Sequence, residues 1–433
     1  MKEGTPRIAA ARQTLPAMRL FGPGQAAPAS RANSEIARDF IDLSFRLENG
    51  DAIDGFARFT GPMTVRITGN APATASRDLT SLITRLNREA GLALTRTTDD
   101  SAAITIEFLP RRQLQARVPD AACFVAPRVS SWAQYRRTPR KNLDWRNYLE
   151  RQRVAIFIPS DVAPQEVRDC LHEELAQALG PLNDLYRLPD TIFNDDNIHS
   201  TLTGFDMLVL RATYAPELRP GMSRSAVEAA LPGILARLNP AGQRPGYFAA
   251  PTPRAYGDAI ARALGPRASA TGRVGAAQRA LSIAEEAGWQ DARTGYAWLT
   301  LGRLSGHDKR QQALAAFKTA AVIFRRNGLP LHAAHADMQL AAYALTQGAW
   351  GDVIGLADGA LPAATAGQNA SLMAGLMMLK AAALDHSGQP QAASRLRLDS
   401  LRWARYGMTS DAEVRQRLAT ITDLAEQAEK TKP

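Results

Sequence analysis

The sequence predicts an α+β fold for the N-terminal half, in which helices pack against a mixed sheet, followed by an all-α C-terminal region. Short runs of alternating, β-branched residues and segments with helical spacing of apolar residues support the first part. The prediction of an all-α C-terminal region rests on a change in the sequence pattern at about Ala255. Beyond that residue the pattern is helical and runs of β-branched residues are almost absent. Hydrophobic residues make up 45% of the 433 residues, so each part can enclose a core.

The elements of the N-terminal half follow from these patterns. A helix is predicted over 35–47, where Ile36, Phe40 and Leu43 are among the apolar residues at helical spacing. Further helices are predicted over 79–89, 111–118 and 165–179. Five strands are predicted over 63–68, 92–97, 103–108, 122–126 and 154–158.

Glycines recur in the C-terminal region at Gly306, Gly348 and Gly388, spaced by 42 and 40 residues, and each separates two predicted helices. The region Gly272–Glu429 therefore resembles a tetratricopeptide-type array of helix pairs, although its period exceeds the usual length of about 34 residues. A plain helical bundle is the alternative. Three or four helix pairs would form a curved surface suited to binding another protein.

The chain length indicates two or three domains. We predict a disordered segment over 1–34, the α/β domain over 35–240, a linker over 241–271 and helical repeats over 272–430. No apolar run is long enough to span a bilayer. The first residues also lack the apolar run of a signal peptide, so the chain is either cytoplasmic or given without an upstream signal.

Arginine dominates the formal net charge of +10. A composition bias of the kind found in high-GC bacteria explains this charge. Binding to an anionic partner is the more specific alternative explanation. The densest basic stretch, 132–153, interleaves its charges with aromatic residues, as polyanion-binding surfaces do. Its candidate contacts are Arg136, Arg137, Arg140, Lys141 and Arg146. We favour a solvated insertion anchored by its aromatic rings, and no nucleic-acid partner is expected.

The most informative stretch begins with His172 and Glu173, the first two places of the zinc motif H-E-x-x-H. The motif fails in that frame because Ala176, at the fifth place, has no metal-binding atom. Shifted by one residue, the stretch resembles the metzincin pattern H-E-x-x-H-x-x-G-x-x-H through Glu173, Glu174, Gln177, Gly180 and Asn183. The three histidine places hold other residues, whereas the glycine and the catalytic-type carboxylate of Glu174 remain.

The residues that follow agree with the shifted frame. Thr191 and Phe193 lie where metzincins have a Ser-x-Met turn beneath the metal, with Phe193 at the methionine place. Over about Glu35–Pro240 the chain is still more similar to a domain of unknown function found in uncharacterised proteobacterial proteins. Its pattern is E-E-x-x-Q-x-x-G, then Ser/Thr-Ile-Phe, a Phe-Asp helix and Pro-Gly-Met. The resemblance implies a metzincin-like mixed sheet with an active-site-type helix.

The polar residues around that helix define a candidate cleft, formed by His172, Glu173, Gln177, Asn183 and Asp184. We interpret the two glutamates, Gln177 and Asn183 as a buried hydrogen-bond network that holds the helix against the turn. Zinc is an alternative, although Gln177 and Asn183 are poor ligands for it. A hard cation held by the carboxylates and amides is a further one. We expect neither a metal nor another cofactor.

The sequence therefore favours a non-catalytic binding or scaffold protein, with a peptidase-like cleft and a helical-repeat arm that bind a protein or peptide. An active metal-dependent hydrolase, with Glu174 as general base, is the alternative. The resemblance implies a periplasmic or envelope-associated protein, and a cytoplasmic one is the alternative.

Two cysteines bear on the location. In the implied fold the active-site-type helix packs across the sheet, so that Cys123 and Cys170 can meet. We expect a disulfide bridge if the protein is exported and two free, buried thiols if it is cytoplasmic.

Overall fold

The computed structural model of the chain describes residues 14–306 and 309–430. Its described part divides into two compact units. The α/β unit comprises residues 22–162 and 166–252, and the helical unit comprises 14–21, 163–165, 253–306 and 309–430. The boundary at residue 252 lies inside the segment 241–271, for which the sequence predicts a linker. Part of that segment is helical, and the bounds of its helix are given with the helical unit below.

The main sheet of the α/β unit consists of β2 (Met63–Gly69), β3 (Leu94–Arg96), β4 (Ile104–Leu109), β5 (Phe124–Pro127) and β7 (Val154–Pro159). Their order across the sheet is β3-β2-β4-β7-β5. The first four run parallel, and the edge strand β5 runs antiparallel to β7. The predicted mixed sheet is therefore confirmed. Strand β7 is buried along its whole length, as expected for an inner strand covered on both faces.

Two shorter strands, β1 (Arg58–Phe59) and β6 (Glu150–Arg151), pair in parallel as a separate sheet. Seven helices accompany the sheets in the described part of this unit: α1 (Asn33–Ser44), α2 (Ala75–Glu89), α3 (Arg111–Gln115), α4 (Trp132–Arg137), α5 (Pro164–Leu179), α6 (Gly204–Thr213) and α7 (Arg224–Leu238). Helix α5 is the next element along the chain after β7. The predicted helices at 35–47, 79–89, 111–118 and 165–179 correspond to α1, α2, α3 and α5.

The N-terminal segment 1–34, for which the sequence predicts disorder, lies partly outside the described residues. Residues 14–32 form no helix or strand, but those in the α/β unit are held in place. The backbone N–H of Ala26 donates to the Glu89 carboxylate at 3.2 Å. The guanidinium of Arg31 binds the carboxylates of Asp39 and Asp190. These contacts hold residues of the N-terminal segment in place, although the composition of that segment predicts disorder.

The described part of the helical unit contains nine helices: α8 (Arg254–Leu264), α9 (Ala270–Glu286), α10 (Ala292–Leu304), α11 (Arg310–Arg326), α12 (Pro330–Thr346), α13 (Trp350–Ala366), α14 (Ala370–His386), α15 (Pro390–Gly407) and α16 (Asp411–Lys430). Each helix packs against the next along the chain, and α12 also packs against α14. The predicted all-α region is confirmed. Helix α8 occupies part of the predicted linker because Tyr256, Ile260 and Ala263 bury one face. None of the described helices is long and apolar enough to cross a membrane.

Residues with positive φ separate the helices of this unit at regular intervals of 20 or 40 residues: Gly288, Gly328, Gly348, Gln368 and Gly388. Each lies two residues after a helix ends, where a left-handed residue closes the last turn. The structural period is thus about 20 residues per helix. Gly306 does not share this backbone conformation, and the rest of its predicted boundary, His307 and Asp308, lies outside the described residues.

Candidate functional site

Arg151 of β6 holds the C-terminal end of α5, the helix that carries the predicted cleft residues. Its guanidinium donates to the carbonyl oxygens of Gln177 at 2.8 Å, Ala178 at 2.6 Å and Gly180 at 2.7 Å. These carbonyls belong to the last turn of the helix, where no intrahelical donor remains, and a cation there also favours the helix dipole. Arg151 itself is only 1% exposed, so these bonds replace the water that it has lost.

Glu173 and Glu174 lie in the last two turns of the same helix. Glu174 is 4% exposed, and its Oε2 atom has no hydrogen-bond partner among the described residues. Carboxylate oxygens of Glu173 and Glu174 and the sulfur of Cys123 lie within 4.8 Å of one another. A buried, ionised carboxylate oxygen without a donor is costly, so burial favours the protonated form of Glu174.

Three carboxylates from other segments complete what we call the carboxylate cluster: Glu48, Asp184 and Asp195, in addition to Glu173 and Glu174. Glu48 lies close to the side chains of Asp184 and Gln177. Gln177 is buried, Asp184 is half-buried, and Glu48 and Asp195 reach solvent at the rim. In the part of the chain that the structure describes, no arginine, lysine or histidine forms an ion pair with any of the five.

Burial and mutual repulsion raise the pKa values of this cluster. Burial raises the pKa of Glu173 to about 8, with a further contribution from the charges of Asp195 and Glu48. Burial and then the neighbouring Glu173 raise the pKa of Glu174 well above its usual value. The pKa of Asp184 is likewise raised, by burial and then by Glu48. These raised pKa values favour the protonated forms of Glu173, Glu174 and Asp184.

We expect the metal-free protein to lose stability as the pH rises from about 4.5 to about 8, the ordinary and the folded pKa of Glu173. In that window the folded state holds protons that the unfolded chain has released, so the free energy of unfolding falls with pH. Glu174→Gln removes one of these acids. It is expected to raise the free energy of unfolding at about pH 8 by roughly 1–3 kcal/mol and to flatten the pH dependence.

Urea denaturation in the presence of a chelator, at a series of pH values, measures this effect. Glu228→Gln is the matched control, since Glu228 is exposed and paired with Arg224 on the surface of α7. Equal pH slopes for the wild type and Glu174→Gln would show that the cluster does not control this part of the stability.

Two residues predicted for the cleft network lie in other contacts. His172 is buried, and its Nδ1 atom accepts a hydrogen bond from the backbone N–H of Leu202 at 3.1 Å. Burial and the charge of Arg168 lower its pKa well below the usual value, so it is neutral. Asn183 donates through Nδ2 to the carbonyl oxygen of Asp42 at 2.9 Å. Gln177 lies near Glu48, whereas His172 and Asn183 make hydrogen bonds to the backbone of Leu202 and of Asp42.

Buried hydrogen bonds within the α/β unit hold the turn that contains Thr191 and Phe193. Thr191 and Asp206 of α6 are both fully buried, and the Thr191 hydroxyl donates to the Asp206 carboxylate. The same carboxylate accepts from the backbone N–H of Thr203 at 2.7 Å, which ties the turn to the start of α6. Phe193 is fully buried, and its backbone N–H donates to the Thr191 oxygen at 3.0 Å. This turn leads directly to Asp195 of the cluster.

A disulfide bridge joins Cys123 to Cys170 with a Cα–Cα distance of 6.0 Å. It connects the residue before β5 to the middle of α5, so the bridge expected for an exported protein is confirmed. Its Cys123 sulfur adjoins Glu173 and Glu174. The bridge therefore fixes α5 against the sheet beside the carboxylate cluster.

We expect the double variant Cys123→Ala, Cys170→Ala to unfold with a free energy about 2–4 kcal/mol lower than the wild type. The reason is that a bridge closing a segment of 47 residues restricts the unfolded chain. Thermal unfolding with and without reductant measures this, with the double variant as the control that reductant cannot affect. Two free thiols in the denatured, unreduced wild type would contradict the bridge.

The basic stretch 132–153 is only partly available to a ligand. Arg136, Arg137, Arg140, Lys141 and Arg146 are exposed, and Arg146 pairs with Asp144. The aromatic rings of the stretch pack inward, since Trp132 and Tyr135 contact Phe124 and Phe157 with ring centroids 5.2–6.3 Å apart. These two rings anchor the insertion to β5 and β7 and are not presented for base stacking.

Sequence reasoning missed Glu48, Asp195 and Arg151. Glu48 follows α1, about 125 residues before the helix whose carboxylates it faces. Asp195 lies just beyond the turn and has a φ of 56°, a left-handed conformation that aspartate tolerates better than most residues. Arg151 belonged to a basic stretch in which nothing distinguished it from its exposed neighbours. No periodicity signals any of these positions.

Residues 33–233 match the family model described as a protein of unknown function, DUF2927. The matched range includes α1, the whole sheet, α5, the turn and α6, and therefore every residue of the carboxylate cluster. A search of the curated proteins finds no match to the chain.

Proposed function

We propose that the protein is a non-catalytic binding protein, in which the helical unit holds a protein or peptide segment and the α/β unit is a metzincin-like domain without a catalytic zinc. The observation that carries the binding role is a groove of about 810 Å³ formed by α11, α12 and α13. Half-buried apolar side chains, those of Leu314, Leu340, Tyr343 and Leu356, line it. Such concave, partly apolar surfaces between helices are typical of peptide-binding helical arrays.

One wall of the groove is a stripe of glycines at intervals of four residues along α13: Gly351, Gly355 and Gly359. A Cβ atom added at any of them would meet no atom within 4 Å. Glycine in a helix interior lowers stability relative to alanine. Since packing does not require these glycines, their effect is to leave the groove wide and its helix backbone accessible. Charged and polar side chains at the rim, Lys318, Arg325 and Asp352, would set the orientation of a bound segment.

We expect Gly355→Ala to raise the free energy of unfolding by about 0.5–1 kcal/mol, because alanine restricts the unfolded chain and fits the open space. Gly295→Ala is the control with the opposite sign, since its Cβ would lie 2.6 Å from the buried ring of Phe324. Thermal unfolding of both variants measures the difference. A loss of stability in Gly355→Ala would show that the groove beside α13 has no space for an added methyl group.

A peptide library displayed on phage and selected on the full chain tests the binding role. Peptides that bind in the groove are expected to lose binding to Gly355→Leu, whose side chain fills the space beside α13. Gly275→Leu is the matched control, because Gly275 lies on an exposed face of α9 with equally open surroundings. Enriched peptides that bind both variants equally would contradict the groove, and a selection without enrichment would contradict a peptide partner.

The metzincin-like assignment of the α/β unit is supported by the strand order, by helix α5 directly after β7, and by the buried turn at Phe193. The donor set does not fit a catalytic zinc. Of the residues at the three histidine places, Gln177 and Asn183 are neutral amides, and Asn183 already bonds to the backbone of Asp42. Zinc sites of this type use histidine, cysteine or carboxylate ligands.

The hydrolase alternative has one observation in its favour, the buried and unpartnered carboxylate of Glu174, whose pKa is raised by burial. A general base near neutral pH has these properties. Cleavage of unfolded casein by the purified chain, abolished both by chelator and by Glu174→Gln, would establish this activity. Absence of cleavage under conditions where the selected peptides still bind supports the non-catalytic function.

We further propose a location outside the cytoplasm, in the periplasm or cell envelope. The disulfide supports it, because such bridges persist in oxidising compartments. Labelling of free thiols in intact cells, before any reduction, tests the location. Two unlabelled cysteines in the cellular protein are expected, and full labelling of both would place it in a reducing compartment.

A further inference from the structure

We propose that helix α15 carries a binding site for a peptide segment with an arginine two residues before a phenylalanine, and that residues 14–21 of this chain occupy that site in the structure. We call residues 14–21 the N-terminal strap. The strap and α15 both belong to the helical unit. The site is separate from the groove formed by α11, α12 and α13, so the inference does not rest on the proposed function of that groove.

An aromatic ring is the main anchor of the strap. Phe21 stacks on the ring of Trp403 with centroids 4.4 Å apart, and it meets the ring of Tyr406 edge-on at 5.7 Å. Stacked and edge-to-face pairs of this kind stabilise a contact beyond the area that they bury. Trp403 is 7% exposed and Tyr406 is fully buried, whereas Phe21 itself is half-buried. Without Phe21, the stacked face of the Trp403 ring would lie open.

Arg19 of the strap binds the same part of α15. Its guanidinium carbon lies 5.3 Å from the centroid of the Trp403 ring, within the range of a cation–π interaction. Its Nη1 atom lies 3.6 Å from the carboxylate of Asp399. The backbone N–H of Arg19 also donates to the carbonyl oxygen of Arg402 at 3.1 Å, which sets the register of the strap along the helix. The two side-chain contacts therefore favour a cation at this position.

The residues that contact Arg19 and Phe21 share one side of α15. They lie at helical spacings of three, four and seven residues from the first of them: Asp399, Arg402, Trp403 and Tyr406. On the same helix, the guanidinium of Arg405 donates to the carbonyl oxygen of Pro16 at 2.9 Å. Tryptophan, tyrosine and arginine are the residues that contribute most to hot spots between proteins. This side of α15 thus has the composition of a recognition site for another polypeptide.

The strap is suited to exchange with another segment. Residues 14–21 form no helix or strand, and Thr14, Ala17 and Arg19 are exposed. The composition of this segment predicts disorder, so its order depends on the contacts with α15. Docking of such a segment costs conformational entropy, and attachment to the same chain offsets this cost through a high effective concentration. An external segment with the same two side chains can therefore compete once the anchor of the strap is weakened.

A fluorescein-labelled peptide with the sequence of residues 14–21, added to the full chain and followed by fluorescence anisotropy, tests the inference. We expect weak binding to the wild type, because the strap occupies the site. Binding to the Phe21→Ala variant is expected to be at least about tenfold tighter, since its own strap has lost the anchor. Phe248→Ala, which removes an exposed phenylalanine of the α/β unit, is the matched control and should bind the peptide like the wild type. A peptide that itself carries Phe21→Ala should bind none of these chains.

Two further variants, made in the Phe21→Ala chain, connect peptide binding to α15. Trp403→Ala should abolish binding, because it removes the surface that both peptide side chains contact. Asp399→Asn changes a side chain that is 44% exposed, so it tests the site without disturbing the core, and it should weaken binding severalfold. Equal binding by the wild type and Phe21→Ala would overturn the inference, and so would no binding to Phe21→Ala at millimolar peptide. Peptide binding unchanged by both α15 variants would also overturn it.

Light scattering of the wild type and of Phe21→Ala tests which chain supplies the strap. We expect the same mass for both, because the strap binds within its own chain. A wild-type dimer that Phe21→Ala abolishes would place the strap on α15 of a second copy and overturn this assignment. Gly355→Leu, added to the Phe21→Ala chain, should leave binding of this peptide unchanged, since Gly355 lines the groove beside α13. Failure of the groove proposal and failure of the α15 site are therefore distinguishable.

Discussion

Arg151→Leu is expected to lower the free energy of unfolding of the α/β unit by about 3–5 kcal/mol. The substitution removes the donor of three buried bonds and leaves the carbonyls of Gln177, Ala178 and Gly180 without partners. Each stranded carbonyl costs about 1–3 kcal/mol, partly offset because the buried charge is no longer present. Burial lowers the pKa of Arg151 to about 10, so the guanidinium is still charged at neutral pH.

Calorimetry measures this loss as a shift in the melting temperature of the α/β unit, on the order of 10 °C. Arg146→Leu is the matched control, because Arg146 belongs to the same basic stretch but is exposed and pairs with Asp144. Arg151→Lys keeps the charge but cannot span three carbonyls with one ammonium group, so an intermediate loss is expected. Equal melting temperatures for the Arg151→Leu and Arg146→Leu variants would show that the C-terminal end of α5 does not need this residue.

The strands of the main sheet and the helices α1, α2 and α5 could be predicted because each has its own periodicity. The β-branched alternation of β2 and the apolar face of α2 are local patterns, and the structure places both within a few residues of the prediction. The two-residue strands β1 and β6 are too short to carry a pattern. Helix α4 could not be recognised in the basic stretch, because a six-residue helix with the apolar residues Trp132, Ala133 and Tyr135 is too short to show a helical period.

The candidate site was less predictable, since proximity in space decides it. Glu173, Glu174 and Gln177 share one helix, so their spacing was visible in the sequence. Glu48 and Asp195 join them only because α1 and the turn after α5 fold back to the same place. The burial of Arg151 depends in the same way on the position of β6 beside the end of α5. No local pattern encodes such contacts. The disulfide could be predicted because a chain with two cysteines allows only one intramolecular bridge.

Phe193→Ala is expected to lower the free energy of unfolding by about 3–5 kcal/mol, the range for removing a fully buried phenylalanine. The ring belongs to the main core of the α/β unit, and the backbone of Phe193 accepts a bond from Leu185 at 2.9 Å. Phe193→Met fills a similar volume and should lose less than about 1.5 kcal/mol. Phe248→Ala is the control on an exposed ring, with little change expected.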